Sequence, residues 1–443
     1  MTPELITLFM FATMMVLLFT GQRVFGVIGF VGAAAALWLW GRGAVEMPFN
    51  QAFQVLNWYP LITVPFFVFM GYMMSESGIA SNLYRMFHVW FGPVRGGLAL
   101  GTLGLMVLIS CINGLSVAGM AIGATIALPE LLRRGYDKIM VTGVIQGGSS
   151  LGILVPPSVV LVLFAMIARA PITELWLAGI LPGLLMAVIF GLYIYIRCRI
   201  QPELGPPMSE EERSQITTRE KLVLLREGIM PVAVFAIMMT LFLSGTTSLT
   251  ESSAVGALLA TIAAALSGKL SWKVLKVCTE QTLLISCMFL WIILGALCFS
   301  SVYDGLGAVR AIENLLLNTF GLDAWGILIL MLVSFVVMGM FLDDTAMLVI
   351  VAPLYIPLVK MLGFDIVWFG ILYTITCQIA YITPPFGYNL FLMRALAPPE
   401  ITIVDIYRSI APFILMMVLT IVILMLFPQI ALWLPHLYSG RAM

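Results

Sequence analysis

The chain has 443 residues, 61% of them hydrophobic and only 10% charged, with a mean hydropathy of +1.08, a balance that excludes an ordinary soluble domain. Its 22 Lys and Arg match 22 Asp and Glu, and zero net charge argues against nucleic acid, whose phosphates call for a basic excess. The six cysteines (Cys111, Cys198, Cys278, Cys287, Cys298, Cys377) have no metal-ligand or disulfide-like spacing and read as small hydrophobes.

A helix needs roughly 20 apolar residues to cross about 30 Å of hydrocarbon, because lipid cannot satisfy exposed backbone groups. In chain order the sequence predicts spans near 4–20, 24–41 and 58–75, and the first has no small-residue cleavage site after it, only Gly21-Gln22-Arg23. The segment 78–92 mixes polar and apolar residues at helical spacing and reads as a helix lying in the membrane interface. A block at 98–130, apolar but too broken for a simple crossing, is followed by spans near 139–167 and 175–197. The longest polar interruption, 198–228, carries Pro202, Pro206 and Pro207. Spans near 229–245, 252–268 and 281–301, a second interfacial helix at 307–321, a second broken block at 325–359, and spans near 366–393 and 409–434 complete the series.

With residue 1 outside, Lys and Arg gather on the cytoplasmic side, and only Arg42, Arg169, Arg310, Lys360 and Arg441 face outward. The expectation is an all-α polytopic membrane protein with ten crossings and both ends outside. Landmarks then recur between the halves at offsets of 228 to 230 residues: Gly78 with Gly307, Gly92 with Gly321, Asn113 with Asp343, Pro129 with Pro357, Pro156 with Pro384, Pro171 with Pro399, and Pro182 with Pro412. Because 78–92 and 307–321 fall on opposite faces, the halves are expected to be inverted repeats, a signature of secondary transporters that bind at the midplane. The units are 1–200, a cytoplasmic linker 201–228, and 229–443.

Each broken block carries a polar tip, Ser110 to Ser116 in the first and Gly339 to Thr345 in the second, and reads as a re-entrant hairpin of two half-helices. The span after each hairpin is interrupted by a proline pair, within 147–158 and within 380–389, which removes N–H donors and frees carbonyls upstream. Sodium, a hard ion, suits such oxygens. One candidate site combines Asn113 and Ser116 with the carbonyls of Gly152 and Val155. The other combines the carbonyls of Gly339, Ala380 and Thr383 with Asp343 and Phe386.

The opposite half-helix ends expose N–H groups that suit a carboxylate, and no Lys or Arg falls in these four segments. The candidate substrate residues are Asn113, Gly114, Ser116, Ser149, Ser150, Pro156, Thr345, Pro384 and Asn389. Asp343 and Asp344 are costly at membrane depth; they read either as part of the ion site or as caps of the following half-helix. His88 and His436 cannot build a metal or haem centre with the scattered cysteines.

In this order the motifs P-F-F-V-F-M-G (65–71), S-G-I-A (77–80), G-G-S-S-L-G-I-L-V-P-P-S (147–158), G-M-F-L-D-D-T (339–345) and T-P-P-F-G-Y-N-L-F (383–391) resemble the large membrane subunit, DctM type, of the tripartite ATP-independent periplasmic (TRAP) transporters. The resemblance covers essentially the whole chain. It implies an elevator-type, sodium-coupled carrier of a small organic anion in the bacterial inner membrane. It also implies two partners on separate chains, a small four-helix membrane subunit (DctQ type) and a soluble periplasmic substrate-binding protein. One departure is the first tip, Asn113-Gly114-Leu115-Ser116, where many relatives are Ser-rich. Two rivals share some features: a stand-alone sodium-coupled dicarboxylate or citrate carrier, and an intramembrane aspartyl protease using Asp304 with Asp343 or Asp344. An ATP-driven pump has no G-x-x-x-x-G-K-[ST] loop to support it.

Overall fold

The computed structural model describes residues 2–440 apart from 21, 42, 93, 115, 208–217, 315–320, 322, 341–343, 385 and 386. Among the described residues every regular element is helical. The first part comprises α1 (Pro3–Phe19), α2 (Val24–Ala35, continued by a wider turn through Trp40), α3 (Glu46–Leu56), α4 (Thr63–Glu76) and α5 (Ile79–Phe91). The helix α5 is the segment expected at 78–92. The short α3 was not expected; its Phe49, Phe53 and Leu56 recur at helical spacing on one face and are largely exposed.

Next come α6 (Gly97–Asn113), α7 (Ser116–Ile122), α8 (Leu128–Arg133), α9 (Lys138–Ser150), α10 (Val159–Ala168) and α11 (Ile172–Ile200). The second half follows with α12 (Thr218–Leu243), α13 (Leu249–Leu266), α14 (Trp272–Gly305), α15 (Ala308–Asn314), α16 (Ala324–Gly339), α17 (Asp344–Met361), α18 (Ile366–Tyr381), α19 (Tyr388–Leu396), α20 (Ile403–Leu426) and α21 (Gln429–Ser439). The order of α5, paired α6 and α7, α9, α10, α11 recurs as α15, paired α16 and α17, α18, α19, α20. Local chemistry recurs with it: Gly78 and Gly307 both hold positive φ at the turn, and Pro182 and Pro412 both sit inside a long helix.

Among the described residues four helices, α11, α13, α14 and α20, are by themselves long and apolar enough to cross a membrane. Most of the other apolar helices are shorter because proline pairs or polar tips divide them. The span expected at 409–434 is divided too: α20 ends at Leu426 and α21 starts at Gln429. Pro428 between them has no N–H to continue the ladder.

Two sets of helices pack closely within themselves and are joined by α5 lying on α6 and α14 on α17. In one, α14 lies along α2 and α4, α13 along α4, and α12 along α5. In the other, α6 packs on α9, α9 on α20, α16 on α18, and α10 on both α17 and α18. Glycines set the closest approach. A Cβ on Gly143 would lie 2.4 Å from the Ser409 carbonyl oxygen, and one on Gly147 would lie 2.3 Å from the Phe413 ring, so only bare backbone lets α20 lie this close to α9. An aromatic cluster joins the halves, with Tyr373 of α18 5.6 Å from Phe164 of α10 and 4.8 Å from Phe335 of α16.

Outside the apolar segments, Lys138 at the start of α9 pairs with Asp405 at the start of α20, 2.7 Å apart. Burial pushes the Glu130 carboxyl of α8 up, but hydrogen bonds from Arg134 (2.7 Å) and Arg133 (2.8 Å) more than offset this and hold it low. The linker is stitched to the first half: Gly96 N–H donates to the Gly205 carbonyl at 3.0 Å and Asp137 N–H to the Leu204 carbonyl at 3.1 Å.

Candidate functional site

Both broken blocks fold back on themselves. In the first, α6 ends at Asn113 and Gly114 takes φ 64, a conformation that suits glycine and turns the chain into α7. A Cβ on Gly119 would lie 2.0 Å from Ser110 Oγ, and one on Gly123 would lie 2.7 Å from Met106 Sδ, so α7 retraces α6. In the second, Ser334 and Tyr355 hydroxyls meet at 2.7 Å and a Cβ on Gly339 would lie 3.1 Å from Met347 Sδ, so α17 retraces α16. Neither block runs through as one straight helix.

Each following span breaks at its proline pair. In the first, Asp137 caps α9 by accepting from Met140 N–H at 2.8 Å, the helix tightens at Leu151–Ile153, and Pro156 and Pro157 end it. Ser158 starts α10: its Oγ accepts from Leu161 N–H at 3.1 Å and donates to the Ile153 carbonyl. In the second, Asp365 caps α18 through Val367 and Trp368 N–H (2.8 and 2.9 Å), and Thr383 Oγ donates to the Ile379 carbonyl at 2.5 Å where the helix stops.

A backbone hydrogen bond ties each hairpin to the far side of its break. Val159 N–H donates to the Gly114 carbonyl at 3.4 Å, and Gly387 N–H donates to the Met340 carbonyl at 3.2 Å. The near sides touch as well. A Cβ on Gly152 would lie 2.0 Å from Ser110 Cβ, and a Cβ on Gly339 would lie 2.5 Å from Ala380 Cβ. Ser110 and Gly339 are 229 residues apart and Gly152 and Ala380 are 228 apart, so these are corresponding contacts.

The candidate sodium residues therefore fall into two neighbourhoods. Gly152 and Val155 sit at the first break beside the tip bearing Asn113 and Ser116, and at the second Gly339 lies against Ala380, whose carbonyl accepts from Thr383 N–H at 3.2 Å. Asp343 and Phe386 lie outside the described residues, while Thr345 is in the first turn of α17. Of the candidate substrate residues, Gly114, Ser116, Ser149, Ser150, Pro156 and Asn389 are buried and Pro384 is half-buried.

The halves meet through two of them: Asn389 Nδ2 of α19 donates to Ser116 Oγ of α7 at 2.8 Å, both residues being buried. Asn389 Oδ1 has no hydrogen-bond partner among the described residues. The hydroxyls of Ser149 and Ser150 donate to carbonyls of their own helix, Gln146 at 3.1 Å and Gly147 at 2.7 Å. Their oxygens, like that of Thr383, thus offer lone pairs rather than protons to a ligand. That suits a cation directly. Among the described residues no three His, Cys, Asp or Glu gather as a metal centre.

Residues 11–430 match the family described as the tripartite ATP-independent periplasmic transporter, DctM component. The chain belongs to this family. It is 29% identical over 414 residues to the C4-dicarboxylate TRAP transporter large permease protein of Pseudomonas aeruginosa, covering 92% of this chain and 93% of that one. It is also 29% identical over 440 residues to the ectoine/5-hydroxyectoine TRAP transporter large permease protein of Ruegeria pomeroyi, covering 97% and 99%. The crystal structure of the Alcanivorax borkumensis YdaH transporter has the same fold, with a TM-score of 0.63 at 15% identity over 88% of this chain and 89% of that one. This DctM-family chain is a multi-pass membrane transporter permease and not an enzyme, which sets the protease reading aside.

Buried polar groups of this TRAP permease outside the candidate set include Ser110 of the first tip, and Gln378 and Gln146, which the sequence reading passed over. Ser110 Oγ is fully buried against Gly152 and has no partner among the described residues. Gln378, also fully buried, has neither amide atom matched. Gln146 donates to Ser409 Oγ at 3.2 Å, while Ser409 itself donates to the Ile406 carbonyl at 2.7 Å, which fixes the amide orientation and leaves Gln146 Oε1 unmatched. The signal was a polar stripe at four-residue spacing in apolar helices, Thr142, Gln146 and Ser150 in α9 and Thr374 and Gln378 in α18.

Proposed function

We propose that this large permease uses a sodium gradient to take up a small organic anion handed over by a periplasmic binding protein, in complex with a small four-helix subunit in the bacterial inner membrane. The halves lie inverted, with ten crossings, and the group of hairpins and broken helices slides as an elevator against the group built on α2, α4, α13 and α14. Sodium binds at two places, the first tip with the carbonyls of Gly152 and Val155, and the second with those of Gly339, Ala380 and Thr383 plus Asp343 and Phe386. The anion lies between them, on half-helix amides and on Asn113, Gly114, Ser116, Pro156, Thr345, Pro384 and Asn389, while Ser149 and Ser150, whose protons are committed to helix carbonyls, turn lone pairs toward sodium instead.

The observation that carries this reading is the buried link from Asn389 to Ser116 at 2.8 Å. It brings α19, which follows the second break, onto α7 of the first tip, with an unmatched amide oxygen at the junction of the two halves. The acceptor-rich oxygens around it favour cations, and bound sodium supplies the positive charge that the absent Lys and Arg do not. The relatives' names differ in substrate at equal identity, C4-dicarboxylate in one and ectoine in the other, so the anion is not named by kinship.

The test is uptake of a panel of labelled organic acids into proteoliposomes holding both membrane subunits, with an inward sodium gradient, with and without the binding protein. Accumulation should need both. Uptake that persists without the binding protein would favour the stand-alone carrier, and uptake indifferent to sodium would remove the coupling.

A further inference from the structure

A cavity of about 750 Å³ opens between α3, α10, the start of α11, the first residue of α13 and Leu297 of α14, a size that suits a small organic molecule. Arg169 lines it together with Gln54, Trp58 and Thr173, and no acidic residue does. Among the described residues the Arg169 guanidinium takes part in no ion pair or hydrogen bond. The backbone there is unusual. Arg169 caps α10 at φ 53, where glycine would sit without strain, and it is the sole non-glycine residue with positive φ among those described. Lys360 of the second hairpin already donates to the carbonyl of Ala168, at 3.4 Å, so a second cation stands at the same helix end.

The place in the fold gives these features direction. The helix α10 has 10 residues, about 15 Å. Its first residue, Val159, bonds to the first hairpin tip, and its last adjoins the cavity. The cavity also lies on the seam between the two packing groups, and the charge pattern puts Arg169 on the outer side. We propose that it is an outer vestibule in which Arg169 collects the carboxylate of the transported acid before it reaches the breaks, where no Lys or Arg follows. This rests on the uptake reading above. A cation with no partner among the described residues, flanked by amide and hydroxyl donors, is a match for carboxylate, and it raises the local concentration of anions.

The test uses charged thiol reagents on the reconstituted permease with its small subunit. Gln54→Cys is made in a Cys287→Ser background, the other cysteines being buried. Externally added anionic sulfonatoethyl and cationic trimethylammonioethyl methanethiosulfonates are then compared. With Arg169 present the anionic reagent should be favoured about tenfold over its rate in Arg169→Gly. Arg169→Lys should keep most of that preference, and succinate, used as the probe anion, should slow labelling only when residue 169 is charged. An unchanged rate ratio in Arg169→Gly, or no labelling at Gln54→Cys, overturns the proposal. So does a preference abolished by adding phosphatidylglycerol to the vesicles, since a lipid phosphate would then be the occupant. Sodium-driven uptake on the same vesicles is read separately, so a failure of coupling leaves the labelling ratio interpretable.

Discussion

Consider Gly339→Ala at the second hairpin. The added methyl would lie 2.5 Å from Ala380 Cβ, against ordinary contacts of 3.4–4 Å, so hairpin and span must part by about 1 Å. Overpacking of this kind costs about 1–3 kcal/mol, or roughly 5- to 150-fold in the population of the closed arrangement. The carbonyls of Gly339 and Ala380 separate with it, so sodium affinity should fall while the protein still inserts. The first half shows the remedy, because there the side chain is on the hairpin (Ser110) and the bare position on the span (Gly152). The double variant Gly339→Ala with Ala380→Gly should therefore recover sodium-dependent uptake to within about fivefold of the original. Alanine gains at the end of α16 part of the roughly 1 kcal/mol that glycine loses in α18, so helix propensity leaves at most about a fivefold deficit. Sodium titration of uptake in proteoliposomes, with insertion checked by quantitative blotting, gives the double-mutant cycle. A normal sodium dependence in Gly339→Ala, or a double variant no better than the single, would refute the reasoning.

Thr383→Val removes an oxygen whose proton is already committed to Ile379, so the sodium concentration for half-maximal uptake should rise about tenfold or more, with Thr383→Ser close to normal; Asp343→Asn should likewise lower sodium-dependent uptake without loss of insertion. Asn389→Ala strips Ser116 of its buried partner, which should cost about 1–3 kcal/mol and lower both thermal stability and uptake; equal melting and equal uptake would deny the junction a role. Gln378→Leu should do the reverse on stability: deleting a buried unmatched amide raises the melting temperature, by up to about 1–3 kcal/mol of stabilisation, while uptake falls. If uptake is untouched, the amide serves no ligand.

Much of the architecture was readable because the chemistry that breaks a membrane helix is conspicuous in an apolar chain. The proline pairs at 156–157 and 384–385 and the tip Ser110 to Ser116 each announce freed backbone groups, and the structure interrupts its helices at or beside them. The mixed segment 78–92 declared itself by helical spacing. What stayed hidden depends on approach across the fold. Nothing local says that Gly152 must be bare because Ser110 rests on it, or that Asn389 reaches Ser116, 273 positions away. The hydroxyl protons were misleading for the same reason: Ser149 and Ser150 read as donors until the helix carbonyls beneath them are seen to take the protons. The stop at Pro428 was visible but lost in a run whose hydropathy continues past it.

The corresponding contacts at the two breaks put small residues on opposite partners, serine facing glycine in one and glycine facing alanine in the other. A comparison that scores matching letters would count both pairs as mismatches, although both hold two main chains at close quarters. Family searches built on separation between segments, rather than on residue identity, should therefore detect distant members of this fold that ordinary alignment passes over.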